Sequence, residues 1–153
     1  TKKYFTENLF RSARMAASCG VILGLETMEN DFMNTVEKAM EYVSEIDSPY
    51  LGVYPDTGNI SNAVADVPGD LRRGAGHLFS AHLKETKPGI YRNLFFGEGN
   101  VDFPGIADAL FDLGVLRFTA EFWCLPDRDA EQELRSAYAF LSGILRRSAE
   151  SHI

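Results

Sequence analysis

Tyr50-Leu51-Gly52-Val53-Tyr54-Pro55-Asp56-Thr57-Gly58-Asn59 passes from an apolar run into a turn. Residues 50–54 are short, aromatic and partly β-branched, which predicts a buried strand. Pro55 then removes a ladder donor and Gly58 permits a turn. Asp56 therefore stands at the C-terminal tip of a strand. A lone aspartate there reads as a turn residue. The pattern recurs, however: the apolar run 21–25 ends on Glu26, 77–81 on His82 and 115–120 on Glu121.

Helical patterns fill the intervals. Thr6 is expected to cap a first helix with Glu7 in its first turn, Leu9, Phe10, Ala13, Ala16 and Ala17 on its buried face, and Gly20 as its stop. Asp31 is expected to cap the next, with Phe32, Val36, Ala39, Met40, Val43 and Ile46 as its stripe and Ser48-Pro49 as its end. Residues 59–68 read as a loop, and a helix over 69–76 is weakened by three glycines. Residues 84–99 read as a long loop, a feature that usually serves function. Asp102 is expected to cap a helix carrying Phe103, Ile106, Leu110 and Leu113, stopped by Gly114. Leu134, Ala137, Tyr138, Leu141, Ile144 and Leu145 mark a last helix with a basic end at Arg146 and Arg147. One helix followed by four strand–helix units predicts an α/β fold with a parallel sheet and helices outside. Four units are half of a (βα)8 TIM barrel; an open doubly wound sheet is the competing architecture. Phe96-Gly97-Glu98-Gly99 follows a loop and lacks the third glycine of a dinucleotide turn.

Composition narrows the function. A chain of 153 residues, 45% hydrophobic and 12% aromatic, predicts one domain, 1–153, with a real core. No apolar run is long enough for a membrane span, and the start shows no signal peptide. The formal charge of −7 argues against a nucleic-acid surface. Cys19 and Cys124 fit no zinc spacing, so reduced thiols and a cytoplasmic location are expected. The chain has no initiator Met, and a fragment or processed form is expected.

In parallel α/β folds functional groups gather at the C-terminal ends of strands. Glu26, Asp56, His82 and Glu121 are separated by 30, 26 and 39 residues, about one unit each. Neighbouring strands lie about 4.8 Å apart, so four strand tips on a curved sheet can meet at one cation. Glu26 and Glu121 each sit between apolar segments, where a carboxylate without a counter-charge is costly. Three carboxylates and an imidazole form an oxygen-rich set that favours Mn²⁺ or Mg²⁺, with Zn²⁺ or Co²⁺ as alternatives. In the long loop Lys84, Lys87 and Arg92 are candidates for substrate hydroxyls or phosphate, Arg92 foremost because apolar Leu94, Phe95 and Phe96 follow it.

Gly24-Leu25-Glu26-Thr27-Met28, Val53 to Asn59, Ala81-His82-Leu83-Lys84-Glu85 and Phe96-Gly97-Glu98-Gly99-Asn100-Val101-Asp102-Phe103 resemble the xylose-isomerase-like barrel superfamily. Within it they resemble sugar-phosphate epimerases of the L-xylulose-5-phosphate 3-epimerase or hexulose-6-phosphate isomerase kind. The resemblance covers strands five to eight of that barrel. It implies that Glu26, Asp56, His82 and Glu121 bind a divalent metal and that Glu26 and Glu121 are the acid–base pair. Two carboxylates flanking a ketose can remove a proton on one face and return one on the other. Some related free-sugar epimerases place a His where this chain has Asn59, a candidate substrate contact. A metal-dependent abasic-site endonuclease of the same superfamily is the rival enzyme, and a catalytically incomplete carbohydrate-binding fragment the rival of another class. Four parallel strands leave two open edges, which predicts a homodimer.

Overall fold

Four short parallel strands carry the ligand-type residues, with helices between them. The computed structural model describes residues 2–152. In chain order the elements are α1 Lys2–Ser18, β1 Leu23–Glu26, α2 Val36–Ile46, β2 Leu51–Tyr54, α3 Thr57–Ala63, α4 Val67–Arg72, β3 Ala81–Lys84, α5 Phe103–Asp112, β4 Phe118–Glu121 and α6 Ala130–Ser151. β1 pairs with β2 and β3 with β4, both in parallel. Between β2 and β3 the ladder thins to two parallel bridges, Val53 with Leu78 and Asp56 with His82. The joining hydrogen bonds run from Val53 N to the His77 carbonyl at 2.8 Å and from His82 N to the Pro55 carbonyl at 2.9 Å. Gly52 permits residues 77–79 to approach β2 this closely. A Cβ there would lie 2.2 Å from a Phe79 ring carbon and 2.4 Å from the His77 carbonyl oxygen, so the ring occupies space that a side chain on β2 would fill.

The parallel α/β order follows the sequence reading, while several boundaries move. The third strand is not 77–81 but Ala81–Lys84, so His82 lies inside it and Lys84 ends it. Residues 77–80 instead leave a turn at Gly76, whose φ of 80° suits glycine, and approach the sheet through Leu78. The segment read as a loop, 59–68, holds most of α3 and the start of α4, which runs on into the weak helix read over 69–76, because Asp56 and Asp66 cap the two helices by accepting from Asn59 N and Gly69 N. Thr6 lies inside α1, its hydroxyl donating to the Lys2 carbonyl. Thr35, not Asp31, caps α2. Phe32 precedes that helix, half exposed against Phe5 and Tyr42. Asp102 caps α5 and Gly114 follows it at φ 74° as expected. α6 runs past Arg146 and Arg147, which therefore lie outside its last turn.

Leu51, Val53, Ile60, Leu71, Ala81, Ile106 and Leu110 form the fully buried centre between strands and helices. Leu134 and Tyr138, expected on the buried stripe of α6, are 60% and 68% exposed. They border an apolar groove that also takes in Phe118 and Ala120 of β4. Among the described residues no helix is long and apolar enough to cross a membrane.

Gly52→Ala is expected to force β2 and residues 77–79 apart and to destabilise the chain by about 1–3 kcal/mol. A denaturant midpoint unchanged from that of the unsubstituted chain would contradict this account of the β2–β3 junction.

Candidate metal centre

Each strand, along its length or just past its end, delivers one polar group to a common point. Glu26 and Glu121 are the last residues of β1 and β4. Asp56 follows β2 by two residues and His82 is the second residue of β3. One ligand atom from each of these four lies within 4.8 Å of the others. His82 Nδ1 is 2.9 Å from Glu26 Oε1 and 3.0 Å from Glu121 Oε2. The Tyr54 ring packs on the imidazole with centroids 4.6 Å apart. Thr27 holds the Asp56 backbone, its hydroxyl oxygen accepting from Asp56 N at 2.8 Å.

Asp56 has no exposure. Its Oδ1 accepts from Asn59 N at 2.8 Å, whereas its Oδ2 is buried with no hydrogen-bond partner. Burial pushes its carboxyl up to about 7, the Lys84 ammonium and the Asn59 N–H pull the other way, and Glu121 adds to the rise. An orphaned buried carboxylate oxygen within a set of three carboxylates and an imidazole fits a divalent cation, which would replace the missing partner. The four residues expected from sequence are therefore brought together, and they form a donor set that can hold a metal ion.

The second tier differs from expectation. Lys84 is no loop cation: it ends β3, opposite Glu121 in the β4 register, and its side chain is 2% exposed. Its Nζ lies 3.1 Å from Glu29 Oε1, 3.1 Å from Asn59 Oδ1, 3.3 Å from Glu121 Oε1 and 3.6 Å from Asp56 Oδ2. Burial acts against the ammonium, but Asp56, Glu29 and Glu121 outweigh it and its pKa rises. Asn59 is also buried, its amide donating to the Thr27 carbonyl at 2.9 Å and accepting from Lys84. Arg92 stands at the exposed mouth with Nε 3.0 Å from Glu29 Oε1. Lys87 makes a tight turn with Ile90 and does not line the cavity.

That cavity, about 560 Å³, is lined by Glu26, His82 and Glu121 of the cluster, by Asn59 and Lys84, and by Met28, Glu29, Asn30, Arg92 and Trp123. Trp123 lies 5.1 Å from Lys84 Nζ and 5.5 Å from the Arg92 guanidinium carbon, both over its ring. Glu29 and Trp123 were not singled out from sequence. Trp123 had a signal, since residues two apart in an extended segment share a side and it follows Glu121 by two. Glu29, on the connection between β1 and α2, had none.

The sequence profile of the xylose isomerase-like TIM barrel matches residues 1–143. The L-ribulose-5-phosphate 3-epimerase UlaE of Shigella boydii is 36% identical over 138 residues, which is 90% of this chain and 49% of that protein. The enzyme of the same name from Escherichia coli O139:H28 gives the same identity and coverage. The chain thus spans about half the length of the curated relatives it matches. A solved L-ribulose 3-epimerase superposes with TM-score 0.82 at 24% identity, over 95% of this chain and 54% of that one. A D-tagatose 3-epimerase-like protein does so with TM-score 0.81 at 21% identity, over 97% and 55%. At these identities the superpositions speak for the fold.

Asp56 holds its proton in the folded, metal-free chain at pH values where the unfolded chain has lost it. The contribution of Asp56 to metal-free stability is therefore expected to be greatest below the ordinary carboxylate range and to be lost as pH rises toward about 7. Cation binding must expel that proton, so affinity is expected to rise through the same window and level off above it. Calorimetric titrations with Mn²⁺ below and above neutrality, in buffers of different ionisation heat, measure both affinity and proton release.

Proposed function

Because this chain belongs to the xylose isomerase-like TIM-barrel family, we propose that it forms the metal-binding half of a sugar-phosphate 3-epimerase. The observation that carries the reading is the convergence of Glu26, Asp56, His82 and Glu121 on one point, with Glu26 and Glu121 on the same imidazole nitrogen. The substrate is a ketopentose 5-phosphate. L-Ribulose and L-xylulose 5-phosphates differ only in configuration at C3, so one 3-epimerase interconverts them. The 36% identity to the UlaE enzymes supports this substrate class over a hexulose phosphate. The charge of −7 and the single imidazole in the cluster weigh against an abasic-site endonuclease.

Glu26, Asp56, His82 and Glu121 would hold one divalent ion, Mn²⁺ or Mg²⁺ by the oxygen-rich donor set, with Zn²⁺ or Co²⁺ as alternatives. When bound, it lowers the energy of negative charge on the substrate carbonyl and hydroxyl oxygens. One of Glu26 and Glu121 takes the C3 proton, leaving an enediolate, and the other returns a proton to the opposite face. Arg92 at the mouth is the side chain free to exchange its carboxylate partner for an anionic substrate group. Asn59 lines the cavity with its amide held between the Thr27 carbonyl and Lys84, and remains the candidate substrate contact there. Phosphorylated sugars are intracellular chemistry, and a cytoplasmic location accords with free Cys19 and Cys124.

The strands of this chain correspond, in this reading, to strands five to eight of the barrel. Support comes from the half-length coverage of the relatives and from β1 and β4, each paired on one side only. Four further strands are required to close the barrel. A homodimer supplies them, and an N-terminal segment of the same protein is the alternative source.

In the whole enzyme Glu121→Gln is expected to keep the fold and lose at least about a hundredfold in exchange of solvent deuterium into C3. Exchange at the unsubstituted rate would remove Glu121 from the acid–base pair. Light scattering on the isolated chain is expected to give the mass of two copies; a stable single-chain mass would overturn the homodimer.

A further inference from the structure

Lys84 is among the largest fully buried side chains, yet it carries a charge and lies against the carboxylates proposed to hold the metal. It lies in the cavity wall, but with 2% of its side chain exposed and Trp123 over its ammonium it offers a substrate almost no surface. An ammonium has three donors. Glu29 Oε1 and Asn59 Oδ1 take hydrogen bonds at 3.1 Å, and Glu121 Oε1 lies at 3.3 Å. The Asp56 Oδ2 atom, at 3.6 Å, is left without a hydrogen bond. The two oxygens of Glu121 therefore have separate neighbours: Oε1 faces Lys84 and Oε2 faces His82 Nδ1 at 3.0 Å.

We propose that Lys84 is a resident internal cation that pins one oxygen of Glu121 and reserves the other, with Asp56 Oδ2, for the metal. It is a positioning residue, acting through Glu121 rather than on substrate. The inference rests on the metal-site reading above and adds a sign to it. Glu26, Glu29, Asp56 and Glu121 when ionised face Lys84 and Arg92, leaving the charge that one divalent cation balances. Lys84 thus repels the ion it sits beside. It limits affinity in exchange for a fixed orientation of Glu121, whereas a purely structural strut would support binding. Glu29 draws the ammonium away from the ligand oxygens and is in turn held by Arg92 at the mouth.

The sign separates the two roles. Mn²⁺ titrated into the protein can be followed by the fluorescence of Trp123, the only tryptophan in the chain. Lys84→Met is expected to bind Mn²⁺ about tenfold more tightly, through loss of the neighbouring positive charge. In the whole enzyme the same variant is expected to lower kcat while leaving KM in place. Equal or weaker Mn²⁺ binding, or an unchanged kcat, overturns the role assigned to Lys84. Absence of Mn²⁺ binding by the unsubstituted protein overturns the metal site itself, a distinguishable result. Should Lys84→Met fail to fold, Glu29→Gln carries the test, because Glu29 is on the cavity wall. Losing that partner turns the ammonium toward Asp56 and Glu121, and Mn²⁺ binding is expected to weaken several-fold. Unchanged or tighter binding in Glu29→Gln overturns the proposal equally.

Discussion

A carboxylate without exposure sits where two strand pairs meet, and the geometry around it follows from keeping it there. Asp56 ends the β2 segment, caps α3 through Asn59 N and bridges to His82 on the next strand. Burying such a group is costly unless every lone pair is served. Oδ1 is served by the helix N-terminus, and Lys84 supplies charge without a hydrogen bond to Oδ2. The remaining demand falls on the centre formed with Glu26, His82 and Glu121. Capping and ligation thus draw on one residue, so the start of α3 and the position of the site cannot shift independently.

Strand ends were legible because four apolar runs each stopped at a ligand-type residue, although only the second and third strands are largely buried and the runs at 21–22 and 116 are exposed. The third run was misplaced by about four residues. Its apolar content, Leu78, Phe79 and Ala81, is shared between an approach that packs against Gly52 and the strand proper. That shift hid Lys84. Once His82 lies inside β3, Lys84 two residues later shares its side of the sheet and faces Glu121 across the ladder. The helix α3 was hidden, and the start of α4 misplaced, for another reason. Asn, Ser, Asp and Gly favour turns when read singly, and both helices exist because Asp56 and Asp66 satisfy their first donors.

The long segment after β3 shows how a loop becomes part of a rigid site. Glu85 is buried and its carboxylate accepts from Thr86 N at 3.2 Å, Gly97 N at 2.8 Å and Val101 N at 3.2 Å. Gly99 makes this close approach practicable, since a Cβ there would lie 2.1 Å from Glu85 Oε1. One carboxylate thereby replaces the backbone pairing that a helix or strand would provide. Sequence reading gave no reason to select Glu85, because two of its three backbone partners, Gly97 N and Val101 N, lie 12 and 16 residues away.

Ligand groups and mouth groups therefore differ in how they are held. Glu26, Asp56, His82 and Glu121 stand on strands or a helix cap, with partners on neighbouring strands. Arg92 stands on the loop that Glu85 gathers, 62% exposed and tied only to Glu29 and the Trp123 face. An exposed ion pair of this kind contributes little stability, so a competing anion can displace it at small cost. Lys84 cannot make the same exchange, because its ammonium is enclosed and its donors are committed. The two cations near the site therefore have different work, one fixed beside the chemistry and one free to meet what arrives.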